Sequence, residues 1–141
     1  QCNRSYLKKL NRYINNFDPK NLWADYKGII SYEEIHKIYE NVDIGIFASS
    51  CETFSITLLE MMACGLPIAC SDLSPMKDML KDGGVYFNPE KPRQIAEALK
   101  VLIDSKNLMY ELGLKNYSYA NKYNWEYTAN STFNYFSEFH K

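Results

Sequence analysis

Apolar residues fall into two patterns that alternate through the first two thirds of the chain. Short apolar runs predict β-strands, and apolar positions three or four residues apart predict amphipathic helices. The strands predicted in this way are 22–27, 43–48, 66–70 and 85–87. The helices predicted between them are 6–17, 31–41, 56–64 and one that opens at Ser74-Pro75. Because strands and helices alternate, we expect an α/β fold with a Rossmann-like parallel sheet covered by helices on both faces.

The last third of the chain has a helical pattern alone. Helices are predicted at 92–103, 108–123 and 125–139. In the last of them the apolar stripe is formed by Ala129, Phe133 and Phe136. No repeat or interdomain linker interrupts the pattern, so we expect a single domain over residues 1–141 with a C-terminal helical extension.

Composition and charge narrow the function classes. The chain has 141 residues, of which 46% are hydrophobic and 15% aromatic, enough for one domain with a packed core. Its formal net charge is -1 and its charges are dispersed, so it lacks the basic stripe that binds a nucleic-acid backbone. No apolar run approaches the roughly 20 residues that span a bilayer, and Gln1 does not lead into a signal peptide. We therefore expect no nucleic-acid partner and no transmembrane segment.

Cysteine and histidine usage argues against a metal centre. Four cysteines lack C-x-x-C spacing, and three of them lie in or next to apolar segments, which favours a reducing cytoplasm. They are Cys2, Cys51, Cys64 and Cys70. His36 and His140 have no cysteine or acidic partner at metal-ligand spacing. No metal site and no cofactor are predicted.

Two glutamates bracket the junction between the strand at 43–48 and the helix at 56–64. Glu52 precedes the helix and Glu60 lies inside it, with seven residues between them. At the start of a helix several backbone N–H groups lack an intrahelical partner and the helix dipole is positive, which favours a phosphate. A carboxylate beside a phosphate is repelled by it and works best as an acceptor for hydroxyl groups. The junction therefore favours a ligand with hydroxyls on both sides of a phosphate, as in a nucleotide-sugar.

The segment 48–67 carries a family resemblance. It reads ASSCETFSITLLEMMACGLP and resembles the signature of retaining glycosyltransferase family 4, the glycosyl transferase group 1 enzymes with the two-domain GT-B fold. Similar stretches are YKGIIS at 26–31, IACSD at 68–72, GGVYFNP at 83–89 and Tyr123-Asn124-Trp125. The resemblance covers residues 22–136. It implies that the chain is the C-terminal, donor-binding part of such an enzyme, whose N-terminal domain is missing.

The resemblance assigns roles to the two glutamates. In the family the first glutamate lies at the donor sugar, so Glu52 is the catalytic candidate, and we assign it positioning rather than nucleophilic attack. The second glutamate binds the ribose hydroxyls, which implies that role for Glu60. The alternatives are a solvated loop acid at Glu52 and an ordinary exposed helix acid at Glu60.

Further contacts are implied around the helix start. Main-chain amides of Phe54, Ser55 and Ile56 are expected to bind sugar hydroxyls or phosphate. Thr57 is expected to bind phosphate, the alternative being a plain helix-start residue. Ser55 can also act as the N-cap of the helix.

A second loop is implied at the nucleobase. Gly28 and Ile29 correspond to the part of the family that borders the base of the donor, a UDP- or GDP-sugar. The alternative is a plain strand-to-helix turn capped by Ser31.

Two departures from the family affect the expected activity. Thr53 and Ser55 stand where the family has glycines that let the backbone approach the sugar. The family's arginine and lysine, which neutralise the leaving diphosphate, have no counterpart in this chain, because Lys8 and Lys9 lie in a predicted helix and do not match. We therefore expect the isolated chain to be inactive.

The resemblance implies a glycosyltransferase that acts in surface polysaccharide or glycoconjugate biosynthesis, with its acceptor handled by the missing N-terminal domain. Peripheral membrane association of the full-length protein stays open. One alternative is a non-catalytic binding or assembly module of the same fold. Another is a different GT-B enzyme, such as a nucleotide-sugar epimerase.

An aromatic run spans the end of the helix predicted at 108–123 and the start of the helix predicted at 125–139. Its members are Tyr117, Tyr119, Tyr123, Trp125 and Tyr127. Helical spacing favours packing in the core or at a domain interface, and a carbohydrate-stacking strip is the alternative.

Overall fold

The computed structural model describes residues 4–139. The elements are α1 (Arg4–Phe17), α2 (Tyr32–Tyr39), β1 (Gly45–Phe47), α3 (Ile56–Ala63), β2 (Ile68–Ser71), α4 (Met76–Leu80), β3 (Gly84–Phe87), α5 (Pro92–Ile103), α6 (Lys106–Ala120) and α7 (Trp125–Glu138). Each element predicted from the pattern is present except the strand at 22–27. The chain divides into two compact units after Tyr32, and each is described by itself.

The first unit contains α1 and the extended segment that follows it. Leu7, Leu10 and Ile14, the predicted apolar stripe, are the partly buried positions of α1. Directly after the helix, the carboxylate of buried Asp18 accepts three backbone N–H groups. The donors are Leu22 at 2.8 Å, Trp23 at 2.8 Å and Ala24 at 2.7 Å.

The predicted strand at 22–27 is wrong. Within the described part of the chain these residues belong to no sheet, and Leu22 and Trp23 are mostly exposed. Apolar residues suggested a buried strand, but the N–H groups that would start a ladder donate to Asp18 instead. Local hydrogen bonding by an aspartate has replaced β pairing.

The second unit contains a three-stranded parallel sheet in the order β1-β2-β3. Gly45 pairs with Ile68 in the first ladder, and Ile68 pairs with Gly84 in the second. All four residues of the central strand β2 are buried, as expected for a strand covered on both faces. The prediction of a parallel α/β sheet is confirmed.

Successive residues of β2 point to two separate apolar clusters. Ile68 and Cys70 belong to a cluster with residues of α3 and α4, namely Leu58, Met62, Met76, Met79 and Leu80. Ala69 belongs to a second cluster with Phe87, Ala98 and Leu102 from β3 and α5. Helix α6 contributes to both, through Ala120 to the first and Leu112 to the second. Helices therefore cover both faces of the sheet, as predicted.

The turn from α3 to β2 is the point where α6 approaches the sheet most closely. Gly65 has φ +68, and the amides of Gly65 and Leu66 donate back to the carbonyls of Met62 and Met61, which is a Schellman ending for α3. A Cβ added to Gly113 of α6 would lie 2.4 Å from the Gly65 carbonyl oxygen. Only glycine therefore fits at this crossing.

A buried amide completes the α6 contact. Asn116 is fully buried, and its Nδ2 donates to the Leu66 carbonyl at 2.8 Å. A Cβ on Gly83, at the start of the segment that leads into β3, would overlap the Asn116 amide oxygen. Asn116 thus donates a hydrogen bond to the segment that leads into β2 and packs against the segment that leads into β3.

Two helices at the C-terminal end differ from expectation. Helix α6 begins at Lys106, earlier than the predicted 108, because Ser105 caps it by accepting the Leu108 N–H at 3.3 Å. Helix α7 has no buried residue among those described, and its predicted apolar stripe is exposed. The sequence pattern of α7 correctly predicted a helix, but the apolar side of this helix is not packed against the core.

Gly113→Ala is expected to destabilise the chain by about 1–3 kcal/mol, because the new methyl group overlaps the Gly65 carbonyl. Ser118→Ala on the exposed side of the same helix is the matched control, and we expect no loss there. Urea denaturation of both variants measures the difference. A gain of stability in Gly113→Ala, as helix propensity alone would give, contradicts the close crossing.

Asp18→Asn is expected to open the segment after α1. Burial raises the pKa of the Asp18 carboxyl, but the N–H donors outweigh it, so the pKa lies below its ordinary value of 3.8. A lowered pKa means that the carboxylate stabilises the folded unit above pH 4, and that this contribution is lost as the pH falls through the folded-state value. Asparagine presents one acceptor oxygen in place of two.

Amide hydrogen exchange at Trp23 and Ala24 tests this role of Asp18. Both amides should lose protection in Asp18→Asn at neutral pH, and acid should lower their protection factors less than it does in the parent chain. Asp25→Asn, an exposed change in the same segment, is the control. Unchanged exchange at both amides would show that the carboxylate does not hold this segment.

Candidate functional site

The loop between β1 and α3 lies at the carboxyl-terminal edge of the sheet. Because the strands are parallel, the loops that follow β1, β2 and β3 start from this same edge. They comprise residues 48–55, 72–75 and 88–91. Ligands of open α/β sheets bind outside the carboxyl ends of the strands. The predicted site loop is therefore at the edge where the fold class binds ligands.

Ser55 caps the helix that follows the loop. Its Oγ accepts the Leu58 N–H at 3.1 Å, and its carbonyl accepts the first intrahelical bond, from Leu59 N–H at 3.1 Å. The amides of Ile56 and Thr57 precede that bond and have no intrahelical acceptor. Both residues are exposed. The N-cap prediction is confirmed, and two amides at the positive end of the helix are left available to an anion.

Thr53 and Ser55 occupy the family's glycine positions without backbone strain. Within residues 4–139, the non-glycine residues with positive φ are Asn21 and Lys81. Ser55 has φ -103, and the Thr53 side chain is exposed. Neither position therefore requires the conformational freedom of glycine in this chain.

Glu52 is half-buried in the loop just before the cap. A small turn precedes it, in which Ser49 Oγ accepts the Cys51 N–H at 3.4 Å and donates to the Cys51 carbonyl at 3.3 Å. These two hydrogen bonds restrict the backbone conformation of the loop just before Glu52. The structure thus places Glu52 beside the helix start, and its role at a sugar stays a prediction.

Glu60 lies on the side of α3 that faces away from the core. Leu58 and Met62 form the buried side of the helix, whereas Glu60 is half-buried and follows Ile56 by four residues. Residues four apart lie on the same helix side, about 6 Å apart along the axis. Glu60 therefore shares a side with the open N-terminus, and its role at ribose hydroxyls stays a prediction.

Tyr39 is the residue at this site that the sequence reasoning missed. Its hydroxyl lies 3.4 Å from Glu60 Oε2, a long hydrogen bond in which the hydroxyl donates. Burial, and then the negative charge of Glu60, raise the pKa of Tyr39, so the hydroxyl remains protonated. The helix predicted at 31–41 includes Tyr39, but no spacing rule links residues 21 positions apart.

Phe54 contacts an aromatic residue from the C-terminal part of the chain. Its ring centroid is 6.0 Å from that of Tyr123, with the rings tilted by 56°. Tyr123 follows α6 and comes two residues before α7. The site loop is therefore braced by the α6–α7 connection, although Phe54 and Tyr123 both stay about half exposed.

The aromatic run is not part of the core. Tyr119 alone among its members is partly buried and packs against the first apolar cluster. Tyr117, Tyr123, Trp125 and Tyr127 are exposed, with Trp125 88% exposed. Core packing of these four is therefore wrong. The interface and carbohydrate-stacking interpretations stay predictions.

Gly28 and Ile29 belong to the first compact unit. Gly28 has φ +69, which favours glycine, and Ile29 is fully exposed. The structure does not test their contact with a nucleobase, which stays a prediction.

The most strongly shifted carboxyl lies elsewhere. Asp82 accepts from the Tyr119 hydroxyl at 2.5 Å and from Lys115 Nζ at 2.9 Å, and these two donors lower its pKa to about 2. Asp82 precedes β3, at the sheet edge opposite to the site loop, and it joins the start of that strand to α6. We regard it as a structural contact.

Two negative findings apply to residues 4–139. No three His, Cys, Asp or Glu side chains come close enough together to bind a metal ion. None of the helices combines the length and the apolar character needed to cross a membrane.

Comparison with known proteins gives a family match. Residues 7–119 match the model of the family described as glycosyl transferases group 1. O-antigen chain mannosyltransferase B from Escherichia coli is 22% identical over 112 residues, which are 79% of this chain and 29% of that protein. The chain therefore spans less than a third of the length of this relative.

Solved structures show the same fold. Sucrose-phosphate synthase from Thermosynechococcus elongatus superposes with a TM-score of 0.84 at 17% identity, over 96% of this chain and 35% of that one. The C-terminal domain of a glycosyl transferase group 1 family protein from Francisella tularensis gives a TM-score of 0.71 at 23% identity. That match covers 84% of this chain and 62% of the other.

Proposed function

This chain belongs to the glycosyl transferases group 1 family, and on that premise we propose that it is the donor-binding part of an enzyme that transfers a sugar from a nucleotide-sugar to an acceptor. The observation that carries the proposal is the start of α3. There, a capped helix offers two free amides at the ligand edge of the sheet, with one glutamate on each side of them along the chain.

The donor diphosphate would bind at the amides of Ile56 and Thr57. A helix N-terminus carries roughly half a positive charge, and its free N–H groups point at the anion. The Thr57 hydroxyl is exposed and adds a donor, and the amides of Phe54 and Ser55 extend the contact towards the sugar. Ser55 contributes its amide, because its Oγ already accepts the Leu58 N–H.

The two glutamates would bind hydroxyls on opposite sides of that diphosphate. Glu60, one helical turn from Ile56 on the same side, would accept hydrogen bonds from the ribose hydroxyls. Glu52, in the loop before the helix, would accept hydrogen bonds from the sugar and orient it as the anomeric bond breaks. Gly28 and Ile29 would border the nucleobase of a UDP- or GDP-sugar. A retaining outcome, with Glu52 in a positioning role, is part of this proposal.

Other parts of the protein would supply the basic pair and the acceptor-binding domain that this chain lacks. A departing diphosphate requires cationic groups, which are normally a large electrostatic contribution to such a transfer. The family's arginine and lysine have no counterpart here, so we propose that the isolated chain is inactive and that a further domain of the same protein binds the acceptor. The name of the E. coli relative supports a growing surface polysaccharide as that acceptor.

The proposed compartment is the cytoplasm. In the described part of the chain Cys51, Cys64 and Cys70 are free thiols, and the first two are exposed. Exposed thiols are stable in a reducing compartment.

A non-catalytic module that binds nucleotide-sugars is the second candidate. It is favoured by the absence of the basic pair from this chain. The replacement of two family glycines by Thr53 and Ser55 also favours it, because side chains there reduce the room for a close approach of the sugar, although neither residue has a positive φ. Turnover by the full-length protein would exclude this candidate.

Glu60→Gln and Glu52→Gln in the full-length protein should have different kinetic effects. A charge-assisted hydrogen bond contributes about 1.5–3 kcal/mol, so Glu60→Gln should raise the donor KM about tenfold or more. If Glu60 holds the ribose equally in the ground and transition states, kcat should change little. Glu52→Gln should mainly lower kcat, because Glu52 acts where charge develops.

Steady-state kinetics with the natural donor measures both effects. Glu111→Gln, an exposed acid on α6, is the matched control and should behave like the parent enzyme. Parent-like kcat and KM in both site variants would remove the support for the two-glutamate site.

A further inference from the structure

The hydroxyl of Tyr39 contacts the proposed ribose-binding carboxylate of Glu60. Tyr39 ends α2, and its ring is partly buried against the first apolar cluster, which includes Leu58 and Met62 of α3. Both Tyr39 and Glu60 belong to the second compact unit. The ring is therefore fixed by packing, and its hydroxyl is presented to Glu60 Oε2 at 3.4 Å.

A glutamate on an open helix side samples several rotamers unless something holds it. One hydrogen bond to Oε2 removes much of that freedom and uses one of the roughly four acceptor positions of a carboxylate. Oε1 and the remaining position on Oε2 stay available for two hydroxyl donors. With one acceptor position bonded to Tyr39 and the others available, the carboxylate can accept hydrogen bonds from two neighbouring hydroxyls of one sugar ring.

The other titratable groups near Glu60 do not compete with Tyr39 for this role. Cys64 follows Glu60 by one turn, and although the residue is exposed, partial desolvation of its thiol and the negative charges of Glu40 and Glu60 raise the thiol pKa. The thiol therefore stays neutral. Tyr39 also stays protonated beside the carboxylate, so it acts as a hydrogen-bond donor at neutral pH.

We propose that Tyr39 is a positioning residue that orients Glu60 for the ribose hydroxyls of the donor. The inference rests on the proposed function, because it assigns a support to a residue of that same site. It adds the end of α2 to the loop at 48–55 and to α3, the segments to which the sequence assigned the contacts with the sugar, the phosphate and the ribose.

Tyr39→Phe tests this role with little change in packing, since it removes the hydroxyl and keeps the ring. In the full-length protein we expect the donor KM to rise about three- to tenfold, with kcat within about twofold of the parent. Tyr110→Phe, at an exposed tyrosine of α6, is the control and should leave both constants unchanged.

A double-mutant cycle separates positioning from a merely structural role. If Tyr39 acts through Glu60, Tyr39→Phe should change KM by less than about 1.5-fold when Glu60→Gln is already present. Inhibition by the nucleoside diphosphate product gives a second measurement. Tyr39→Phe should weaken this inhibitor but not its 2′,3′-dideoxy analogue, which lacks the hydroxyls.

The outcomes distinguish the two proposals. If Glu60→Gln raises KM while Tyr39→Phe matches the parent, the positioning role is overturned and the proposed function stands. If Tyr39→Phe has the same effect with or without Glu60, or weakens both inhibitors equally, its role is structural and the inference fails. If neither variant changes donor binding, the assignment of Glu60 fails and this inference fails with it.

Discussion

The parallel pairing of β1 with β2 is the constraint on which the site depends. Phe47 pairs with Cys70, so β1 ends at the same edge as the buried central strand, and the chain must leave there through the loop at 48–55. Helix α3 then returns across the sheet with Leu58 and Met62 in the core. This packing leaves the N-terminus of α3 at the open edge and keeps Glu60 on the side away from the core. The apolar core thus determines which face of the helix a ligand can reach.

Two supports surround the helix start, and they come from distant parts of the chain. The Tyr39 hydroxyl reaches Glu60 from the end of α2, and the Tyr123 ring reaches Phe54 from the connection between α6 and α7. A third element, the crossing of Gly113 over Gly65, holds α6 against the opposite end of α3. The geometry of the loop therefore depends on contacts from α2, α6 and the α6–α7 connection, all within the second unit.

Local features were predictable from the sequence because their causes are local. The apolar run at 43–48, the Ser55 cap and the glycine ending at Gly65 follow from periodicity and capping, and all three are present. The predicted strand at 22–27 is wrong because the Asp18 carboxylate accepts hydrogen bonds from backbone amides that would otherwise pair with a neighbouring strand. The apolar content of the segment gives no information about these hydrogen bonds. The aromatic stripe of α7 correctly indicated a helix, but periodicity cannot say whether a partner surface exists. Tyr39–Glu60 and Phe54–Tyr123 are tertiary contacts, which no spacing rule could provide.

The central claim is that a donor diphosphate binds at the start of α3, and an NMR titration of this chain with a nucleoside diphosphate tests it most directly. The amides from Glu52 to Glu60 should shift first, with those of Ile56 and Thr57 moving most. Without the family's basic pair the affinity should be millimolar rather than micromolar, a difference of about 4 kcal/mol. The nucleoside without phosphates should produce much smaller shifts at these two amides. Shifts confined to α5, α6 and α7, with the α3 amides unmoved, would contradict the account.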